Sequence, residues 1–450
     1  MAQYTKDMTS GKPIRLILQM ALPLMLGSVF HHVYIATDAI ILGNAVGVKA
    51  LAAVGAADWP MWLIVGVLVG FTHGFAIPVA RRFGRGDMDG MRKSVCMAFA
   101  LSACMAAVLT ALTMSLMWPF LRALGTPDDV IGQAYGYLMV YFGGIILMTA
   151  YNMQAAVLRA LGNGRTPLYA LAAASLLNIA LDLLFILAFG WGIFGAAAAT
   201  ILANACSSLI CYRAIRRTEV LRITKADWKA DWVEVRTLAR LATPIGLQNG
   251  IIGVGGIFVQ RVVNSNGMTF IAGYTAINKI YGLLELAGMS IGFAMTTYVG
   301  QNVGGGDFAR VRRGVRSSLL LSVAIAAALA AAMVAFGGDL ASLFISDEPE
   351  LKALAVDVSY AYLSNMSLFF PILYVLHVYR ASLYGLGDTV IPMVSGGMEM
   401  AMRIAAVLLV PALMPGVNGV YICEPAAWLG AVGILAPVYY YRAKRKAVSF

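Results

Sequence analysis

Two acidic residues, Asp38 and Asp182, lie inside apolar segments that are long enough to cross a lipid bilayer. A carboxylate at the centre of a bilayer costs about 2.5 kcal/mol or more on insertion scales, so acids retained there usually carry a function. Asp182 follows Asn178 by four residues, which places both side chains on one helix face, roughly 6 Å apart along the axis. Such a face can bind a cation or a proton.

Membrane-spanning helices are the elements that must hold these acids. With 60% hydrophobic and 12% charged residues and a mean hydropathy of +0.78, the chain has more apolar side chains than a soluble core can bury. We therefore predict an all-α integral membrane protein with twelve spans, each near or above the roughly 20 residues that cross the hydrocarbon. The predicted spans are 14–42, 51–80, 94–120, 131–160, 167–190, 194–213, 242–264, 270–301, 317–340, 353–384, 390–413 and 420–441.

The basic residues alternate from loop to loop along the chain. Of 33 Lys and Arg residues, 26 lie in the N-terminal segment, in every second loop and in the C-terminal tail. By the positive-inside rule, this predicts a multi-pass plasma (inner) membrane protein with both termini in the cytoplasm. The net charge of +11 is then explained by basic cytoplasmic loops that contact membrane lipids. We therefore expect no nucleic-acid partner. The opposite loops lean acidic, with Asp128, Asp129, Asp347, Glu348 and Glu350.

The second half of the chain repeats the first at an offset of about 220 residues. Pro23 in IRLILQMALP corresponds to Pro244 in VRTLARLATP, and GRGDMDGMRK at 84–93 corresponds to GGGDFARVRR at 304–313. RALGNGRT, which begins at Arg159, is echoed by RASLYGLGDT, which begins at Arg380. Three matches in the same order indicate an internal duplication.

The duplication predicts two lobes of six helices. The N-terminal lobe covers 1–213, a cytoplasmic linker covers 214–240 and the C-terminal lobe covers 241–450. Because six is an even number, both lobes enter the membrane from the same side. This predicts a pseudo-two-fold axis along the membrane normal, with a substrate cavity between the lobes.

The connecting segments offer two further interpretations. Trp228 and Trp232 are four residues apart in the linker, which favours a helix at the membrane interface, although a plain polar linker fits equally well. Each Gly-x-Gly-Asp stretch is read as a tight turn, with Gly at positive φ and Asp capping the next helix. A phosphate-binding loop would need a preceding strand, which the sequence does not offer.

Taken together, the chain resembles the multidrug and toxic compound extrusion (MATE) transporters over nearly its full length. The resemblance rests on the twelve spans, the duplication and three stretches, ALPLMLGSVFHHVYIATDAIILGNAVGVKALAAVG, RRFGRGDMDGMRK and RALGNGRTP. It implies an antiporter that exports amphipathic, often cationic compounds by rocking of two six-helix lobes, driven by inward flow of H⁺ or Na⁺. Family members carry coupling residues that match Asp38, Asn178, Asp182, Thr200 and Asn152.

The acids of the first and fifth spans can couple to either ion. Two nearby carboxylates cannot both stay ionised in a low dielectric, so one should take up a proton, or Asp38, Asn178 and Asp182 should hold Na⁺. We favour H⁺, because no Gly or Pro near Asp182 predicts the unwound backbone that Na⁺ sites often use. Apart from the coupling ion, no cofactor is expected.

The C-terminal half contains candidates for a substrate cavity. Glu399 and Arg403 are four residues apart, a spacing that predicts an internal ion pair and leaves substrate contact as the alternative. Glu285 has no partner in its own segment. Met289 and Met295 are candidates for an adaptable apolar wall.

Pro23 and Pro244 are hinge candidates. Both lie inside predicted helices at equivalent positions of the two halves, where proline removes a backbone hydrogen bond and kinks the helix. The four His have no metal-like spacing, and the five Cys show no CxxC pattern.

Three classes of function are compatible with a polytopic membrane protein of this composition. The first is a monomeric, ion-coupled exporter of small amphipathic cations. The second is a flippase for lipid-linked precursors on the same architecture, which needs a basic cavity to hold pyrophosphate. An integral membrane enzyme is disfavoured, because neither paired acids at metal-binding spacing nor a Ser-His-Asp order stands out.

Overall fold

The computed structural model describes residues 5–343, 349–414 and 418–448. Asp347 and Glu348 of the predicted acidic loops lie outside these ranges. Within them the chain forms fourteen α-helices and no strand. The helices are α1 (Pro13–Ala45), α2 (Val48–Arg85), α3 (Met88–Ala123), α4 (Asp128–Gly143), α5 (Ile145–Ala160), α6 (Arg165–Asp182), α7 (Gly192–Arg217), α8 (Trp232–Asn264), α9 (Met268–Gly304), α10 (Phe308–Ser342), α11 (Pro349–Leu368), α12 (Phe370–Gly385), α13 (Val390–Leu413) and α14 (Val420–Val448).

The all-α membrane fold is confirmed, with two spans that differ from the prediction. In the described residues, ten helices are individually long and apolar enough to cross a membrane, and two bent pairs raise the number to twelve. The predicted spans 131–160 and 353–384 are not single helices. Helix α4 meets α5 at a bend of 48°, and α11 meets α12 at a bend of 51°.

The two bends have different local causes. At the first, a Cβ on Gly144 would lie 2.5 Å from the side chain of Ile201, so only glycine lets the chain pass this close to α7. At the second, Pro371 stands in the first turn of α12, where its missing N–H starts a new helix rather than continuing the old one.

The same succession of helices occurs in both halves. The first three helices have 33, 38 and 36 residues in one half, and 33, 37 and 35 residues in the other. In both halves a bent pair and two further helices follow. This succession agrees with the duplication inferred from the sequence.

The Gly-x-Gly-Asp stretches form the predicted capped turns. Gly86 and Gly306 adopt φ values of 78° and 79°. Asp87 accepts a hydrogen bond from the backbone N–H of Gly90 at 2.9 Å, and Asp307 accepts one from the N–H of Arg310 at 2.7 Å. Each carboxylate satisfies one of the unpaired donors at a helix start.

The loops after α5 and α12 correct the alignment of the third repeated motif. Gly162 and Gly387, which differ by 225 in number, both adopt positive φ, at 78° and 70°. The next residues, Asn163 and Asp388, both accept a hydrogen bond from the backbone N–H three positions later. With this offset Arg159 and Arg380 are not equivalent, so the sequence match between these two arginines is wrong.

The described chain divides into two compact units. The first contains residues up to Met8 and Leu22–Gly246, and the second contains Thr9–Ala21 and Leu247–Phe450. Helices α1 and α8 each contribute residues to both units. The divisions fall within three residues of Pro23 and Pro244.

The linker contains no α-helix between α7 and α8. Two short 3₁₀ turns, Glu219–Leu221 and Lys225–Trp228, take its place. Trp228 ends the second turn and Trp232 begins α8, so the interfacial helix carrying both tryptophans is not formed. The polar composition of the segment favours short capped turns, because Thr224 and Asp227 form a capping box there.

Ion pairs connect the linker and the start of α8 to the end of α2 and the start of α3. Lys93 contacts Asp231 at 2.7 Å, and this hydrogen bond holds the pKa of the Asp231 carboxyl below its usual range. Glu234 is buried at the start of α8, where it pairs with Arg82 and accepts a hydrogen bond from the Ser94 hydroxyl at 2.7 Å.

Substitution Glu234→Gln should destabilise the protein by about 1–3 kcal/mol, because it leaves the Arg82 guanidinium without its buried partner. Thermal unfolding of the purified protein measures the effect. Asp89→Asn is the matched control, since Asp89 pairs with Arg92 at the surface with its side chain 91% exposed; its effect should stay within about 0.5 kcal/mol. Equal shifts in both variants would contradict a structural role for Glu234.

Candidate functional site

The candidate coupling residues lie on three helices of the first compact unit. Asp38 is on α1, Asn178 and Asp182 are on α6, and Thr200 is on α7. Asn178 and Asp182 are fully buried, Thr200 is buried and Asp38 is half-buried. All four are therefore held in the interior or at its edge.

Small residues bring α6 close to its neighbours. On α6, the Ser175 hydroxyl lies 3.2 Å from the Phe30 carbonyl of α1. A Cβ on Gly27 would lie 3.2 Å from the Leu171 side chain, so glycine allows α1 to approach α6 on this side. These contacts place the two acids of the site on adjacent helices.

The carboxyl groups of Asp38 and Asp182 contact each other in a hydrogen-bonding arrangement. Two ionised carboxylates are both acceptors and cannot form a hydrogen bond, whereas one protonated carboxyl donates to the other. The contact therefore suits a pair that shares one proton.

Around this pair, acceptor atoms outnumber donors. Oδ1 of Asp38, Oδ1 of Asn178 and both carboxyl oxygens of Asp182 are buried without a donor in the described part of the chain. The Asn178 amide donates to the Thr200 hydroxyl at 3.5 Å, the long end of the range. Four buried acceptors favour a proton or a cation at this site, since an anion would add further acceptors.

Asn152 was included in the predicted coupling set, and the structure gives it a local role. Its amide donates to the Met148 carbonyl one turn earlier in α5, at 2.9 Å. Among the described contacts none links Asn152 to the other four residues. Its membership of the site stays a prediction of the family resemblance.

A π-helical turn begins directly after Asp182. It covers Leu183–Ala188, and the Phe189 N–H bonds to the Leu184 carbonyl five residues earlier at 3.0 Å. The backbone near Asp182 therefore departs from a regular α-helix, although neither Gly nor Pro is present to predict this. Such turns occur often at functional sites, and the apolar sequence LLFILA contains neither the Gly nor the Pro that would have indicated one.

Two tyrosines and a third acid lie near the pair and were not predicted. Tyr34 and Tyr137 are both within electrostatic range of Asp38. Tyr137 is also within range of Asp182 and of Asp58, an exposed acid of α2. The criterion that selected Asp38, an acid inside an apolar span, would also have selected Asp58.

The second compact unit contains a row of buried charges on α12, α13 and α14. The predicted pair of Glu399 and Arg403 is present at 3.9 Å, but both have closer partners. Glu399 pairs with Arg380, and Arg403 forms two hydrogen bonds of 2.8 Å with Glu424. Sequence reasoning missed Glu424, because its partner lies on another helix.

Glu285 also has a partner on another helix. One carboxyl oxygen lies 3.3 Å from Nε2 of His377 on α12. Met289, one turn from Glu285, is 43% exposed, and its place in a cavity wall stays a prediction. Met295 is fully buried, with the Ser318 hydroxyl 2.9 Å from its sulfur, so its assignment to an open cavity is wrong.

The described helices that are long enough to cross a membrane hold a buried polar site, an arrangement that membrane transport proteins commonly have. The family model for MatE matches residues 23–184 and 244–409, one match in each half. The chain belongs to the MATE family of multidrug efflux transporters.

Curated relatives cover most of the chain. It is 29% identical over 365 residues to probable multidrug resistance protein YpnP of Bacillus subtilis, covering 81% of each chain. It is 25% identical to probable multidrug resistance protein NorM of Thermotoga maritima, covering 84% of this chain and 81% of the relative. A FAD transporter of Shewanella oneidensis is also 25% identical, covering 76% of each.

Solved structures share the fold. A crystal structure of MATE in complex with MaL6 superposes with a TM-score of 0.91 at 21% identity, covering 99% of both chains. A MOP superfamily transporter from Pyrococcus furiosus, described by the reverse polarity of its binding pocket, superposes with a TM-score of 0.92 at 21% identity and 99% coverage of both. These similarities establish the architecture.

Substitution Thr200→Val should lower ethidium efflux about threefold to tenfold, because it removes the hydroxyl that accepts from Asn178 while keeping the side-chain shape. Thr200→Ser retains the hydroxyl and should stay near the wild-type rate. Thr113→Val is the control, since the Thr113 hydroxyl bonds the backbone of its own helix α3. Wild-type efflux by Thr200→Val would remove Thr200 from the site.

Proposed function

We propose that this protein is a secondary active antiporter that exports amphipathic, often cationic compounds in exchange for H⁺. The observation that carries the proposal is the contact between the carboxyl groups of Asp38 and Asp182. No Lys or Arg forms an ion pair with either acid in the described residues. The site changes its charge when it gains or loses a proton, which is the property that an exchanger needs.

The contact between the two carboxyl groups favours H⁺ over Na⁺. A single proton between them provides the missing donor, whereas Na⁺ needs several oxygens arranged in a shell. The π-helical turn after Asp182 favours Na⁺ instead, because altered backbone near an acid can expose carbonyl oxygens that bind the ion. We retain H⁺ as the coupling ion, with Na⁺ at Asp38, Asn178 and Asp182 as the alternative.

Cationic substrates are favoured by the charges of the second unit. A flippase for pyrophosphate-linked lipids would need free basic groups, but Arg380 and Arg403 are both paired with glutamates. The names of relatives such as YpnP and NorM support drug export. One relative is named a FAD transporter, and FAD is an anion. An anionic substrate, and with it a flippase for lipid-linked precursors, is therefore the alternative.

The proposal places the protein in the plasma membrane with both termini in the cytoplasm, because the basic loops alternate along the chain. It also includes Pro23 and Pro244 as hinges. Both prolines lie next to the positions where α1 and α8 pass from one compact unit to the other. Rocking of the two lobes stays a prediction of the family resemblance.

Substitutions Asp38→Asn and Asp182→Asn should each reduce active efflux to background while leaving expression and insertion intact. Asn keeps the shape of the side chain but cannot gain or lose the proton, and it lowers the cost of insertion. Efflux of ethidium from intact cells measures the loss. Asp128→Asn, at the exposed start of α4, is the matched control and should remain active. Near-normal drug resistance in either site variant would refute the assignment.

Transport by purified protein in sealed liposomes should follow an imposed pH gradient in the absence of Na⁺. The reason is that the proposed site exchanges a proton shared by two carboxyl groups. A protonophore should stop the transport. Efflux that requires a Na⁺ gradient and ignores the pH gradient would refute H⁺ coupling, while leaving the location of the site intact.

A further inference from the structure

The two units differ in how they compensate the basic residues at the start of their third helix. In the first unit, Arg92 and Lys93 stand near the start of α3, and acids lie close to both. Arg92 pairs with Asp89 of its own helix, and its Nε atom lies 4.0 Å from a carboxyl oxygen of Asp227. Nζ of Lys93 lies 2.7 Å from a carboxyl oxygen of Asp231. Acids of the helix and of the linker therefore balance both basic charges.

The equivalent residues of the second unit, at an offset of 220, are Arg312 and Arg313 of α10. Both side chains are exposed, and so is Arg316 one turn later. Among the described residues, no Asp or Glu forms an ion pair with any of these three arginines. Ala309 occupies the position that Asp89 has in the first unit. The three arginines, called the basic surface below, are therefore not compensated by described acids.

The arginines of the basic surface lie within about one helical turn of one another. Arg316 follows Arg312 by four residues and Arg313 by three, and these spacings place the side chains on one helix face. Like charges at such spacings repel each other and destabilise a helix. An anion that contacts the guanidinium groups removes this repulsion. Phosphate suits them well, because guanidinium donates two parallel hydrogen bonds to its oxygens.

The end of α14 lies beside the basic surface and adds to its charge. Helices α10 and α14 pack against each other, and Arg312 is within electrostatic range of Tyr439. Lys444 follows this tyrosine by five residues and is exposed. Arg442 is paired with Asp388 at 2.9 Å, so its charge is balanced. The end of α14 therefore contributes the charge of Lys444.

Exposed tyrosines locate the same end of α14 at the boundary between lipid and water. Tyr440 and Tyr441 are each 60% exposed, and tyrosine is enriched at the level of the lipid headgroups. The Tyr440 hydroxyl lies 3.1 Å from the hydroxyl of Tyr379 on α12, which holds the ring in place. Because the basic surface lies beside this end of α14, its arginines are at the depth of lipid phosphates.

We propose that the basic surface, together with Lys444, binds the phosphate groups of anionic phospholipids in the cytoplasmic leaflet. Lipid phosphates then take the place that Asp227 and Asp231 take in the first unit. The observation that carries the proposal is the contrast between two equivalent basic pairs, one paired with acids and the other exposed. A lipid is favoured over an acidic protein, because the tyrosines place this surface at the membrane. The inference rests on the proposed orientation and is independent of the coupling ion and the substrate.

The test is equilibrium binding of fluorescent phosphatidylglycerol to the full-length protein in neutral detergent micelles, with fluorescent phosphatidylcholine as the zwitterionic comparison. Wild-type protein should bind the anionic lipid about tenfold more tightly at low salt, and the difference should shrink as salt screens the charges. Inorganic phosphate in excess over the lipid, at constant ionic strength, should not displace it. Displacement by phosphate would indicate a site for free anions and would contradict the assignment to lipid.

The first variants remove the basic surface. Arg312→Gln combined with Arg313→Gln should raise the Kd for phosphatidylglycerol about tenfold, to the value for phosphatidylcholine. Arg312→Lys combined with Arg313→Lys keeps both charges and should stay within about threefold of wild type, which guards against a loss caused by misfolding. Arg92→Gln combined with Lys93→Gln changes the equivalent positions of the first unit. This matched control should stay within about twofold of wild type.

Substitution Ala309→Asp tests the contrast without removing an arginine. It supplies the acid that Asp89 provides in the first unit, three residues before Arg312. An acid in the first turn of α10 also suits the helix dipole, so the helix should form normally. Because the new carboxylate compensates the arginines, the Kd for phosphatidylglycerol should rise about threefold to tenfold.

Four results would overturn the proposal. They are equal affinity of the wild type for the two lipids, wild-type affinity in the variant that lacks Arg312 and Arg313, wild-type affinity of Ala309→Asp, and an equal loss in the matched control. The last result would mean that paired and exposed basic residues act alike. None of these variants changes Asp38 or Asp182, so efflux of ethidium tests the antiport proposal separately.

Discussion

The cost of a charge in the bilayer interior governs this structure. An isolated carboxylate there is expensive, and the protein meets this cost in two ways. In the first unit Asp38 and Asp182 face each other without a Lys or Arg partner among the described residues, so that a shared proton halves the charge of the pair. In the second unit, glutamates are paired with arginines or with a histidine from another helix. The first arrangement can change its charge, and the arginine pairs cannot.

The duplicated architecture explains how one fold supports both arrangements. Each half repeats the same succession of helices, the same capped turns and the same bend in its fourth span. These features depend on glycine, proline and capping residues, which are constrained by backbone geometry. The polar residues that face each other inside each unit are free of that constraint. They differ between the halves, as Asn178 and its equivalent Arg403 illustrate.

Much of this could be predicted from the sequence, and the limits have physical causes. Hydropathy located the spans, and the Gly-x-Gly-Asp pattern located the capped turns, because both signals are local. The partners of Glu285 and Arg403 could not be predicted, since His377 and Glu424 lie on other helices and are 92 and 21 residues away. The π-helical turn after Asp182 was missed because LLFILA has no breaking residue. Asp58 was overlooked, although its position in an apolar span was visible.

Proton release on substrate binding tests the central claim most directly. Purified protein in a weakly buffered solution near pH 7 would be mixed with ethidium, and the released protons counted with a pH indicator. If the carboxyl pair exchanges its proton for substrate, wild-type protein should release about one proton per ethidium bound. Asp38→Asn and Asp182→Asn should each abolish that release. Substrate binding without proton release, or release that is unchanged in both variants, would contradict the account.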